Sequence, residues 1–127
     1  MNQAISTPGA PGAIGPYSQG VRAGNTIYVS GQLPADPATG ALVEGDIQTK
    51  TRRALENVRE ILQKAGAGMG DVVKVTVYLK DMASFAAMNE AYAEYFSEPY
   101  PARAAFAVAE LPKDADLEIE CVAVTAG

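Results

Sequence analysis

Histidine is absent from the 127-residue sequence. That absence removes Ser-His-Asp and Cys-His nucleophile systems, His-ligated zinc and imidazole acid–base work. Any chemistry must run on carboxylates, arginine, lysine, tyrosine, hydroxyls, backbone groups and water. Cysteine occurs once, at Cys121, which excludes an internal disulfide and makes the cytoplasm the simplest setting. No apolar run approaches a membrane span. The stretch Met1–Gly20 lacks the basic flank and apolar centre of a signal peptide. A net charge of -5 without a basic cluster argues against nucleic acid or an anionic membrane as partner.

What remains is a chain with 48% hydrophobic and 20% charged residues, the balance of a folded protein. Its length fits one domain over 1–127 with a single core. Residues 7 to 20 read as a Gly/Pro-rich loop ending in Gly15-Pro16-Tyr17-Ser18-Gln19. A hairpin turn at Ala23-Gly24-Asn25 joins two short strands, the second closing on Val29-Ser30-Gly31-Gln32. Gly31 is either a bulge or turn residue or a point of close ligand approach.

After a loop over 33–45, Asp46 starts a helix with Ile47, Thr51, Ala54, Leu55, Val58, Ile61, Leu62 and Ala65 on its apolar stripe and Gly66 as its stop. The glycines of 66–70 follow a helix and precede a strand, the wrong order for a phosphate loop. Asp71–Lys80 is a β-branched strand with Val73, Val75, Val77 and Leu79 on one face. A second helix begins near Asp81 or Ser84 and buries Phe85, Met88, Tyr92, Tyr95 and Phe96. Asn89 falls inside that stripe, where an amide must find partners, in a loop or in a ligand.

The stretch from Tyr100 to Thr125 organises the rest. Alternation puts Arg103, Ala105, Ala107 and Ala109 on one face of a strand, so Arg103 looks across small residues with room for a carboxylate. In the last strand Glu118, Glu120, Val122 and Val124 share a face. Glu118 is either a solvated strand-end charge or a general base. Pairing these two strands outward from the turn at 111–116 sets Glu118 opposite Ala109, roughly 20 Å from Arg103. Both groups can then serve one ligand only from different subunits. The pattern is β-hairpin, α, β, α, β, β: an α+β fold with two helices on one face of a mixed sheet. Several strands are apolar on both sides, and a second copy of the chain is the simplest cover for the uncovered face.

At Gly15-Pro16-Tyr17-Ser18-Gln19, Val29-Ser30-Gly31-Gln32, the run from Val73 to Phe96, Tyr100-Pro101-Ala102-Arg103, and Leu111-Pro112-Lys113-Asp114 with Glu118-Ile119-Glu120, the chain resembles the RidA/YjgF family of enamine/imine deaminases. The resemblance implies a chorismate-mutase-like homotrimer with sites in the intersubunit clefts and no cofactor or metal. It implies hydrolysis of 2-aminoacrylate and related imines, released by pyridoxal-phosphate-dependent dehydratases, to 2-keto acids and ammonia. By the same resemblance Arg103 binds the substrate carboxylate, Glu118 activates water, and Tyr17, Ser30, Gly31, Asn89 and Ala105 line the pocket. Many members carry a cysteine where this chain has Ala105, which makes thiol chemistry at the site a poor expectation. The alternative is a non-catalytic trimer that binds 2-keto acids or amino acids and regulates a partner enzyme. A nuclease or translation inhibitor, also attached to this family, fits poorly with the acidic balance and missing histidine. A chorismate mutase would need more than one arginine for its dicarboxylate.

Overall fold

In the computed structural model, which describes residues 1–126, the Asp46 carboxylate accepts a hydrogen bond from the Thr49 backbone N–H at 2.9 Å and caps helix α1 (Ile47–Lys64). The cap satisfies one of the donors that a helix start leaves unpaired. Thr51, Ala54, Leu55, Val58, Ile61 and Leu62 are buried along one stripe, as their spacing predicts. Gly66 ends the helix at φ +83, a left-handed conformation that glycine adopts without steric cost. The last residue of the expected 1–127 domain, Gly127, lies outside the described residues.

Six strands form one mixed sheet: β1 (Gln3–Ile5), β2 (Gly20–Ala23), β3 (Thr26–Gln32), β4 (Val72–Leu79), β5 (Ala102–Ala107) and β6 (Leu117–Val124). Their spatial order is β1-β2-β3-β6-β4-β5. The hairpin β2–β3 turns at Gly24-Asn25 as expected, and Gly24 has φ +62. Strands β4 and β5 are parallel, joined by helix α2 (Phe85–Tyr92) as one βαβ unit. The remaining pairs are antiparallel.

Both helices lie on one face, where Ile27, Leu55, Ile61, Leu62, Leu79, Met88, Leu117 and Ile119 are fully buried. Cys121 belongs to the same core. Burial pushes its thiol up to about 12, so it is an inert packing group. No helix among the described residues is long and apolar enough to cross a membrane.

Four sequence expectations change. β1, three residues long, pairs with β2 and adds a strand ahead of the expected hairpin. Val73 does not share the face of Val75: a register shift between Val72 and Lys74 inserts an extra residue, burying Val72 and leaving Val73 exposed. The second helix is shorter than its aromatic stripe. A 3-10 turn capped by the Asp81 carboxylate precedes it, and Tyr95 and Phe96 pack from beyond its end. Finally, β5 and β6 are not paired, because β4 lies between them. The residue opposite Glu118 is Tyr78, not Ala109.

Candidate functional site

Glu118 lies on the open face of β6, away from both helices, and it is half-buried rather than solvated. The cause is β3. Between Val29 and Gln32 the register shifts, so Ser30 and Gly31 together oppose Glu120. The bulge presses the Gly31 backbone against Glu118: a Cβ at position 31 would stand 2.5 Å from Glu118 Oε2. Gly31 is thus a bulge residue and also a close approach, to a side chain of its own chain. Burial first, and the neighbouring Glu120 charge second, raise the Glu118 carboxyl above the usual carboxylate range.

Glu118 lines an open cavity of about 900 Å³ with Tyr17, Ser30, Gly31, Lys113 and Glu120. The Ser30 hydroxyl donates to the Ser18 carbonyl at 2.6 Å, and the Ser30 N–H donates to the Gln19 carbonyl at 2.9 Å. These bonds tie β3 to the loop that carries Tyr17. Tyr17 is exposed, and its hydroxyl accepts from the Ile14 N–H at 3.4 Å. The buried Gln19 side chain holds the same loop from beneath. Its amide donates to the Thr7, Ala10 and Pro11 carbonyls, and its oxygen accepts from the Thr7 N–H at 2.7 Å. Gln19 stands in the Gly15–Gln19 motif, but nothing in its spacing distinguishes a buried organiser from an exposed amide.

Arg103 sits elsewhere. Its register partner on β4 is the buried Val75, so it projects to the helix-covered side at the edge of the sheet. There the guanidinium lies over the rings of Tyr92, at 4.7 Å, and Phe85, at 5.5 Å. The neighbouring surface is therefore aromatic where small residues alone were expected, because α2 reaches the sheet edge at Tyr92. Asn89 Oδ1 accepts from Arg103 Nη1 at 2.6 Å, which gives the amide in the aromatic stripe its partner. Arg103 remains exposed, with its outer donors turned to solvent. The buried Tyr92 hydroxyl, which desolvation pushes up to about 12, has no hydrogen-bond partner among the described residues. Ala105 continues the Arg103 face and packs against the core beside Val77.

The structure therefore gathers Tyr17, Ser30, Gly31 and Glu118 in one place and Arg103, Asn89 and Ala105 in another. Arg103 does not line the cavity of Glu118. The two groups stand on opposite faces, two strands and three residue rows apart. Among the described residues, no cluster of three or more His, Cys, Asp or Glu side chains converges as metal ligands.

A family profile described as Endoribonuclease L-PSP matches residues 7–125. The chain is 56% identical over 123 residues to a RutC family protein of Pyrococcus horikoshii, covering 97% of this chain and 98% of that one. It is 50% identical over 124 residues to 2-iminobutanoate/2-iminopropanoate deaminase of Homo sapiens, covering 98% and 90%. The crystal structure of E. coli TdcF with bound serine has a TM-score of 0.92 to this chain at 46% identity, covering 98% and 99%. With the profile running from the Thr7 loop through the last strand, the chain belongs to the Endoribonuclease L-PSP family, the RidA/YjgF family that its motifs resemble.

Proposed function

We propose that the protein hydrolyses small 2-imino acids, with their 2-enamine tautomers, to 2-keto acids and ammonia in clefts between the copies of a homotrimer. The observation that carries this reading is the placement of Arg103 and Glu118 on opposite faces of one sheet. A ligand that needs both must take them from two copies. Support for the chemistry comes from the human relative, whose name is that of an imine deaminase. Support for an amino-acid-sized ligand comes from the serine in the TdcF crystal.

In this reading Arg103, steadied by Asn89 and by the rings beneath it, grips the substrate carboxylate through its free donors. Glu118 of a neighbouring copy accepts a proton from water as the oxygen attacks the C=N carbon. Attack on the protonated imine leaves a neutral carbinolamine, with an NH2 group on the attacked carbon and the water proton on Glu118. Glu118 passes that proton to the nitrogen and then takes the hydroxyl proton as the C–N bond breaks, so that ammonia leaves and a C=O remains. A half-buried carboxylate with raised proton affinity suits that role. A protonated imine is already electrophilic, so positioning and one base suffice without a cofactor. Pyridoxal-phosphate-dependent dehydratases of serine or threonine, acting in the cytoplasm, are the class of enzyme that would supply such imines.

Arg103→Ala and Glu118→Gln should each cut imine hydrolysis at least about a hundredfold while the trimer persists. Refolding an equal mixture of the two variants should restore about a quarter of the native rate, since each mixed trimer regains one intact cleft. Full activity in Arg103→Ala, or no recovery on mixing, would reject the reading. Imine decay timed against keto-acid appearance separates turnover from mere binding.

A further inference from the structure

Glu118 and Glu120 share one face of β6 and one cavity, and Tyr78 stands directly opposite Glu118 on β4. The Tyr78 hydroxyl nevertheless reaches past its register partner and donates to Glu120 Oε1. On the far side of its ring Tyr78 is braced edge-to-face by Phe106, with centroids 5.6 Å apart at 87°. Glu118 accepts no side-chain hydrogen bond among the described residues. Two neighbouring carboxylates on one strand are thus made unequal by a third group.

We propose that Glu120, clamped by the Tyr78 hydroxyl, is a positioning residue that acts through Glu118 and decides which of the two carboxylates takes the proton from water. The proposal rests on the imine-hydrolase reading of Glu118. A carboxylate already engaged with a hydroxyl donor is tied to the sheet surface and poorly placed to reach a water above the bulge. Glu118, lodged against the Gly31 backbone, lines the cavity with no hydrogen-bond donor engaged on either oxygen among the described residues. The fixed charge of Glu120 also disfavours a second negative charge two residues away and so strengthens Glu118 as a base. The clamp is permanent over the working pH range. The bond to Glu120, with burial and the two carboxylate charges, pushes the Tyr78 hydroxyl up to about 12, so it stays a donor.

Other charged or titratable groups also border the cavity or the open face near this pair. They are Tyr17 from the loop before β2, Tyr28 from β3, Lys74 from β4 and Lys113 from the turn before β6. None of them is bonded to Glu118 among the described residues, and Lys113 is held to the Gly40 carbonyl at 2.9 Å.

The test is a carbon-13 titration of the glutamate carboxyl groups in the full chain, with Glu118→Gln used for assignment. In Glu120→Gln the Glu118 midpoint should fall, because the second of the two causes that raise it is removed. In Tyr78→Phe the Glu118 midpoint should also move, because an unclamped Glu120 no longer holds its charge in one place beside it. An unmoved Glu118 midpoint in Glu120→Gln, or an unchanged titration in Tyr78→Phe, overturns the proposal. Kinetics give the second readout: Glu120→Gln should lower kcat several-fold with little change in KM. Should Glu118→Gln keep full activity while the midpoints shift as described, the imine-hydrolase reading fails and the carboxylate asymmetry stands.

Discussion

On the helix-covered face of the sheet Ile27, Val75, Val77, Leu79, Leu117 and Ile119 are shut against α1 and α2, whereas on the other face Tyr28 and Phe106 remain 51% and 45% exposed. The first face has its burial free energy in hand within one chain. The second leaves roughly 1 kcal/mol unrealised for each half-exposed large side chain. The candidate residues divide along the same line. Arg103 stands at the margin of the finished face, where α2 supplies aromatic rings and an amide to hold it. Glu118 stands on the unfinished face, where a bulge supplies the burial that raises its proton affinity. Stability is thus concentrated on one side of the sheet, and the groups proposed to act on substrate lie where that side ends or is exposed. A second copy of the chain would complete the core and the site together.

Paired substitutions on the two faces break or sharpen this contrast. Phe106→Glu adds a charge to the open face beside Tyr78 and Glu120. It should abolish assembly and imine hydrolysis while the far-ultraviolet circular dichroism of a folded chain persists. Leu55→Ala on the covered face should do the reverse. It should cost about 2–5 kcal/mol in denaturant unfolding and leave the sedimentation of the remaining folded protein unchanged. A monomeric Leu55→Ala, or an active trimeric Phe106→Glu, would erase the distinction between the faces. A smaller effect is expected at the bulge. Gly31→Ala forces either the strand or the Glu118 carboxylate to move, because the added Cβ would stand 2.5 Å from an oxygen. Turnover should fall about tenfold, with a fall in Tm of a few degrees.

The contrast between faces was partly legible in the sequence, and the reason lies in the range of the interactions involved. Asp46 and Gly66 mark the ends of α1 through bonds no more than five residues long, so residue type at a known spacing is enough. The alternation that puts Arg103 and Phe106 on opposite faces is equally local. Insertion of β6 between β3 and β4 is not local, and it places Tyr78 and not Ala109 opposite Glu118. The separation of Arg103 from Glu118 survives this change of topology because it rests on alternation, whereas the distance argument built on a hairpin does not. Val73 lies on the face opposite to the one its alternation predicts because a bulge shifts every face upstream of it by one residue, and β-branched composition carries no mark of that shift. The spacing of Tyr92 makes it core, and it is buried, but its second use as the floor under Arg103 needs the position of β5 at the sheet edge.

The smallest expected effect concerns the thermodynamic cost of keeping Glu118 half-buried. Its folded-state proton affinity exceeds that of the unfolded chain, with burial as the leading cause and Glu120 as the second. A carboxyl with a raised folded pKa favours folding fully below its unfolded value, near pH 4, and this contribution is lost as pH rises through the folded value. At neutral pH the ionised group is therefore a liability to the fold, accepted where a base is wanted. Glu118→Gln, which keeps the shape and removes the charge, should raise Tm by about 2 °C at pH 7.5 and leave it unchanged at pH 4. A gain of equal size at both pH values would mean that packing against Gly31, and not the ionised carboxylate, sets the strain. An outright loss of stability at pH 7.5 would mean that the Glu118 charge is satisfied by a cation from another copy, which would draw Arg103 and Glu118 together even before substrate arrives.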